Sequence, residues 1–320
     1  MYLPDENLVI KMWDSLIDKG IGSLLKPWQS RRVARADLAN RTEEILLLAQ
    51  AERDATDIQA GTKRAHLEGG RVLLLEQNVE VVDGRAEPQL NIPQLIAAAA
   101  QARGAQAVLD EVNVAKSVLH AERILIGDNT PVIDRPLDGD WLKRWRDSAA
   151  SISSDELQSL WGKVLAEEVK APGTYSLRTL DFLKNLSRDE AEKIQAIRPY
   201  IVNGVFVAGY GPMRPAGGSY SRFIDLSANL GLISESTRIG VVKVVLGTQR
   251  SDRFHAELRT NGQVLTVQSP DAAKELWIHA YQLSAMGKEV FTLCPVLPDA
   301  EYLDALTRHI QELGFVVSAA

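Results

Sequence analysis

The stretch Ser153-Ser154-Asp155-Glu156-Leu157-Gln158-Ser159-Leu160-Trp161-Gly162-Lys163-Val164-Leu165-Ala166, with Pro172-Gly173-Thr174-Tyr175-Ser176-Leu177-Arg178-Thr179-Leu180 behind it, decides the fold class. A serine ahead of an acidic pair and an apolar run marks a helix start. Its hydroxyl accepts from first-turn amides, and a glutamate three residues later reaches back, the capping-box arrangement. Ser187-Arg188-Asp189-Glu190 repeats the signature before Ala191. Between the two, Pro172-Gly173 imposes a sharp turn and Tyr175 to Leu180 opens the next helix. Upstream, Asp140-Trp141-Leu142-Lys143-Arg144-Trp145 begins a short helix whose tryptophans share a face and read as core anchors. Helices joined by tight turns predict a packed helical centre.

A Pro- and Asp-rich connector, 127–139, leads into this block. Ahead of it, about Pro93 to Ile126 reads as a helix whose alanine-rich first half suits close packing. Val72 to Val82 is strand or buried helix, because a short apolar run fits both. Residues 31–68, rich in Ala, Leu, Glu, Arg and Gln, read as one long helix ended by Gly69-Gly70. Within it Ile45-Leu46-Leu47-Leu48 is apolar all round, which predicts burial on more than one side and so a bundle or a homo-oligomer.

From Leu8 to Trp28, Val9, Trp13, Leu16, Ile17, Ile21, Leu24, Leu25 and Trp28 follow helical spacing, with Gly20, Gly22 and Pro27 placed to bend or end the helix. Lys19, Lys26, Arg31, Arg32 and Arg35 follow with no acid among them. Indole beside cations is the chemistry of an interfacial helix. That nominates Trp13, Trp28, Lys26, Arg31, Arg32 and Arg35 as contacts to an anionic membrane surface or a partner. The alternative is a stripe packed within the protein or on a second subunit, with the cations solvated.

Toward the C-terminus, Tyr200 to Val207 is strand-like and runs into a Gly- and Pro-rich connector, Gly209 to Gly218. Ser221 to Leu230 reads as a helix that Gly231 caps. Strands follow at Val241–Leu246, Phe254–Leu258, Leu265–Gln268 and Leu276–Gln282, then a helix from Asp299 to Leu313 ending at Gly314, and a strand at Phe315–Val317. Helix, Leu-Gly-Leu-Ile, strands, and Leu283-Ser284-Ala285-Met286-Gly287 together resemble a winged-helix module, in which a Leu-Thr-x-x-Gly block follows the wing. Here Ser284 replaces the threonine and the segments between strands are longer. That resemblance implies nucleic-acid contacts at Arg222, Lys243, Arg250 and Arg253, or use of the same fold on a protein.

A chain of 320 residues, 45% hydrophobic and 24% charged, has room for two or three globular cores. A net charge of -6 opposes coating of nucleic acid by bulk electrostatics. The one cysteine, Cys294, allows no internal disulfide and fits a reducing compartment; its apolar neighbours Leu293 and Pro295 favour the inert thiol. Met1 to Glu6 lacks the basic start of a secretory signal, and no run reaches the roughly 20 apolar residues that span a bilayer. A cytoplasmic protein, peripheral at the inner membrane at most, is expected. The histidines His66, His120, His255, His279 and His309 are scattered without metal-ligand spacing, and no Gly-x-Ser-x-Gly elbow occurs. No catalytic residues, cofactor or metal are therefore nominated.

Trp161, Tyr175 and Arg178 are the residue types of a recognition groove for a peptide or nucleotide. They equally suit a helix hairpin fixed by Pro172-Gly173, with Arg178 beside helix-end carbonyls or Glu167 or Glu168. Asp140-Trp141-Leu142, Leu160-Trp161-Gly162-Lys163-Val164-Leu165-Ala166-x-Glu168 and Pro172 to Leu180 resemble the signature of an uncharacterised bacterial family, a domain of unknown function similar in layout to the abortive-infection alpha group. Gly20-x-Gly22-x-Leu24-Leu25-x-Pro27-Trp28-Gln29-x-Arg31-Arg32 resembles the same family. The resemblance implies a phage-defence or mobile-element setting and brings no catalytic residues. The expected architecture is mainly α with a C-terminal α+β module. Residues 1–90 would form oligomerising or membrane-surface helices, 91–200 a central helical domain, and 201–320 a winged-helix-like domain. Its partners would be a second copy, a phage or host protein, an anionic membrane surface or nucleic acid.

Overall fold

The computed structural model describes residues 6–21, 38–68, 71–76, 92–207, 225, 227–234, 242–246, 252–260, 262–296 and 299–319. The chain divides into two compact units, Met1–Thr174 and Tyr175–Ala320.

The first unit contains helices α1 (Glu6–Asp18), α2 (Leu38–Gln59), α3 (Ile92–Leu125), α4 (Gly139–Ala150) and α5 (Asp155–Lys170), and a hairpin of β1 (Lys63–Glu68) and β2 (Arg71–Glu76). α3 is the spine: α2, α4 and α5 all pack on it, and α1 lies against α3 and α5. The apolar stripe of α1 is buried at Leu8, Met12, Trp13 and Leu16. The helix stops at Gly20, whose φ of 69° lets its N–H reach the Ile17 carbonyl while Ile21 N–H reaches that of Leu16.

Two helix ends differ from the sequence expectation. The helix expected over 31–68 closes at Gln59, and Lys63 to Glu68 pair with Arg71 to Glu76 as a hairpin across Gly69-Gly70. The segment left open at Val72 is strand as far as Glu76; 77–91 lie outside the described residues. At α5 the cap is Ser154, not Ser153: its Oγ accepts from Leu157 N–H at 3.4 Å, so Glu156 falls one position short of closing a capping box.

α4 is capped by Asp138, whose Oδ1 accepts from Trp141 N–H at 2.8 Å. Trp141, Leu142 and Trp145 are buried, and Trp145 Nε1 donates to the Trp161 carbonyl at 3.0 Å, tying α4 to α5. Gly162 is the point of closest helix approach: a Cβ there would lie 2.5 Å from His120 Cβ and 2.8 Å from the Ser117 carbonyl oxygen of α3. The α4–α5 turn is held by a buried amide pair. Asn113 Nδ2 donates to the Ala150 carbonyl at 2.8 Å, and Gln158 Nε2 donates to Asn113 Oδ1 at 3.1 Å and to the Ile152 carbonyl at 2.9 Å. Buried amides of this kind persist because each polar atom finds a partner.

The second unit opens with α6 (Leu177–Asn185) and α7 (Arg188–Ile197), which place α-helix in the half of the chain that also carries the sheets. Ser187 and Glu190 close a full capping box on α7, with Ser187 N–H and Oγ–H both donating to Glu190 Oε2. Tyr200 to Val207, expected as one strand, is instead a 3-10 turn followed by a tight hairpin of β3 (Ile201–Val202) and β4 (Phe206–Val207). Asn203 and Gly204 take φ of 53° and 65°, the conformation that an Asn-Gly pair favours in a two-stranded turn.

β5 (Val242–Leu246), β6 (Phe254–Thr260), β7 (Gln263–Ser269), β8 (Leu276–Gln282) and β9 (Val316–Ala319) complete two antiparallel sheets. Their orders are β3-β4-β8-β5 and β6-β7-β9. Period-2 burial along β6, with Phe254, Ala256 and Leu258 inward, turns one face of the second sheet to the core. α8 (Ala285–Leu293) and α9 (Ala300–Glu312) supply Val290, Phe291, Tyr302, Leu306 and Ile310 to that core. The expected strand after Gly314 is β9, paired with β7.

Candidate functional site

A charged constellation gathers at the C-terminal end of α5. Helix-end carbonyls carry partial negative charge and lack intrahelical donors, so cations collect there. Lys11, inside the apolar stripe of α1, donates from Nζ to the Val169 carbonyl at 3.0 Å and to the Ile133 carbonyl at 2.8 Å. Burial pulls its ammonium below the usual lysine range, against the attraction of Asp134 and Glu168. Lys170 Nζ bridges Asp128 at 2.6 Å and Glu167 at 2.9 Å. Burial lowers the Lys170 pKa, but its bonds to Asp128 and Glu167 outweigh that and leave it raised. Asp128 is pushed down to about 2 by the Lys170 bond first and by the Thr130 hydroxyl and N–H second.

Buried Glu168 closes the corner, its Oε1 accepting from Gly173 N–H at 2.5 Å. Gly173 holds φ at 92° in the turn where Thr174 N–H reaches the Ala171 carbonyl, and Arg135 donates to the Pro172 carbonyl at 3.2 Å. These bonds fix the turn and fold the 127–139 connector against α5. Chemically the corner is a clamp: Lys11, Asp128, Arg135, Glu168 and Lys170 are bonded to one another or to backbone and side-chain groups of α5, its turn and the connector. Sequence reasoning missed Lys11, although a lone cation three residues after Leu8 in an apolar stripe is the available signal.

The nominated residues are distributed as follows. Trp13 is buried in the first unit, where α1 meets α3 and α5. Lys26, Trp28, Arg31, Arg32 and Arg35 lie outside the described residues, as do Gly22, Pro27, Arg222, Arg250 and the Gly209–Gly218 connector. Trp161 is buried in the first unit. Tyr175 and Arg178 belong to the second: Tyr175 is buried with its hydroxyl 3.2 Å from Thr292 Oγ1, and Arg178 is exposed. Lys243 stands in β5 at the register position opposite His279. Arg253 donates from Nε to Asp252 at 2.8 Å and lines an open cleft of about 390 Å³ with Gln268, Ser269, Pro270 and Val316.

Residues 89–202 match the model of a protein family of unknown function, DUF2806. The DUF2806 match covers about a third of the chain and takes in α3, α4, α5, α6, α7 and β3. It contains Trp141, Trp161, Gly162, Glu168 and the Pro172-Gly173 turn, and it stops short of the 20–32 segment. No curated protein and no solved structure matches the chain. Among the described residues no helix is long and apolar enough to cross a membrane, and no cluster of three or more His, Cys, Asp or Glu could hold a metal ion.

The other feature of the DUF2806 segment and its neighbourhood is apolar surface. On α2, Ile45, Leu46 and Leu47 are 47%, 63% and 52% exposed, and of this run Leu48 alone is buried. Burial on several sides, expected for this run, is not met inside the chain, because α2 packs on α3 through one face. On α3, Ile92, Leu95 and Ile96 are 59%, 58% and 61% exposed.

Proposed function

We propose that this chain is a non-enzymatic regulatory or sensor protein of a bacterial phage-defence system of the abortive-infection kind, or of a mobile element, acting in the cytoplasm through self-association and partner binding. The observation that carries this reading is the exposure of Ile45, Leu46, Leu47, Ile92, Leu95 and Ile96 on two helices that pack against each other. Exposed side chains of this size favour docking on another macromolecule over solvation. The clamp at the end of α5 adds support, since its charged side chains tie α1, the 127–139 connector and α5 together. The Trp-Gly and Pro-Gly motifs that resemble the abortive-infection alpha layout suggest the setting. The test is a phage challenge of cells that carry the chain. Protection that is lost on Ile45→Glu with Leu46→Glu, with protein level unchanged, supports the reading; protection by neither form removes it.

The second reading is a winged-helix DNA-binding regulator. It is favoured by the helical residues 227–229, the left-handed cap at Gly231, the bridge between Ile233 and Leu283, and α8 with its Ser284 cap following directly. Salt-sensitive retardation of duplex DNA that Arg253→Ala weakens would support it; no retardation at low salt removes it.

A further inference from the structure

We infer that the N-terminal half of α3 is the self-association surface, pairing antiparallel with the same segment of a second copy; the inference rests on the self-association reading above. α2 and α3 run antiparallel, as the ion pair of Glu52 with Lys116 at 2.7 Å and the bond from Gln59 to Gln106 at 2.9 Å show. α2 therefore ends level with Gln106, while α3 runs on to Ile92, about 20 Å further at 1.5 Å per residue. After Thr62 the chain turns back, with Lys63 Nζ bonded to Asp54 at 3.2 Å and to Asp57 at 2.8 Å, so β1 begins beside α2. The projecting stretch carries Ile92, Leu95 and Ile96, each more than half exposed, and exposed Ala97, Ala98 and Ala100.

The occupant that fits is a second α3. Ile92 to Ala102 contains no charged residue, so a two-fold pairing of identical segments meets no like-charge repulsion, and a charged partner would find no complement. A partner segment running antiparallel to α3 runs in the same direction as α2. It continues the line of α2 along α3, and the matching length brings each copy's Ile92 level with the other's Gln106, beside the end of α2. The two-fold axis then passes near Ala99, where small side chains admit close approach. Three large apolar side chains and three exposed alanines per copy make a contact smaller than the roughly 800 Å² per partner of a standard interface, so the expected dimer is reversible and concentration-dependent.

The experiment is sedimentation velocity on the full chain over a concentration series, for wild type and for Leu95→Glu with Ile96→Glu. A wild-type dimer is expected, with its dissociation constant weakened roughly a hundredfold in the variant, because each copy would bring two unpaired carboxylates into the contact. Both positions are exposed, so an unchanged circular dichroism spectrum separates loss of pairing from loss of fold. In a Cys294→Ser background, Ala99→Cys is expected to cross-link copy to copy under mild oxidation. A wild-type chain that stays monomeric throughout overturns both this inference and the self-association reading. A dimer that survives the double substitution without cross-linking at Ala99 overturns this surface alone. Monomers whose binding to anionic vesicles is abolished by the double substitution would assign the stretch to lipid and overturn the pairing.

Discussion

Replacing Gly162 by alanine sets two effects of opposite sign against each other. Removing a glycine from a helix interior stabilises by about 1 kcal/mol, because the unfolded chain loses freedom. At this position, however, the new methyl would lie 2.5 Å from His120 Cβ, 2.8 Å from the Ser117 carbonyl oxygen and 2.9 Å from the Ala121 nitrogen. Two of those three atoms are α3 backbone and cannot swing aside as a flexible side chain would. Relief requires α5 to move off α3 along the buried Trp161, Val164 and Leu165 contact. Overpacking of this kind costs about 3 kcal/mol at the upper end of its usual range, which leaves Gly162→Ala net destabilising by about 2 kcal/mol. For a unit of this size that corresponds to a fall in Tm of roughly 4–8 °C. Gly104, also in α3, is the matched control, since nothing lies within 4 Å of a Cβ built there. Gly104→Ala should raise stability by about 0.5–1 kcal/mol. Thermal melts by calorimetry and circular dichroism decide it. A Gly162→Ala chain as stable as wild type, or more so, would refute the close-contact argument.

Two further substitutions read other parts of the structure. Asp128 has its pKa pushed down to about 2 by Lys170 and then Thr130, so its contribution is present above the ordinary carboxylate range and is lost as pH falls from about 4 to 2. Asp128→Asn should therefore cost about 1 kcal/mol at neutral pH, after allowance for solvent screening, and match wild type near pH 2 in urea melts; a difference independent of pH would contradict the pairing. Gly287→Ala would drive a Cβ into the Leu232 carbonyl oxygen, a backbone atom. Hydrogen exchange across 276–293 should accelerate with at least 2 kcal/mol of local stability lost, whereas unchanged protection would show that α8 does not seat on Leu232.

The legibility of this chain follows the range of the forces involved. Helix starts and stops set by one or two residues were readable. Ser187, Gly231 and Gly314 act within a turn of themselves, and each ends or begins an element as their chemistry dictates, whereas the Asp138 cap lay unread in the connector. The hairpin at Asn203-Gly204 was equally local, and it was missed because the apolar run around it masked a turn pair. The β1–β2 hairpin was missed for a different reason. Lys63 to Glu68 has helix-forming composition, and its strand state depends on pairing with Arg71 to Glu76, which no local propensity reveals. The α5 clamp was less accessible still, because Lys11, Asp128, Arg135 and Glu168 meet through packing of α1, the connector and α5. Exposure of Ile45, Leu46 and Leu47 could be read only once α2 was seen to cover α3 with a single face.

Backbone hydrogen exchange over residues 92–104, followed as a function of protein concentration, bears most directly on the claim that exposed helical surface is what this protein works with. Protection of those amides should rise with concentration, while that of residues 155–170 in the packed core stays level. Amides across 92–104 that exchange at one fast rate at every concentration would contradict the account.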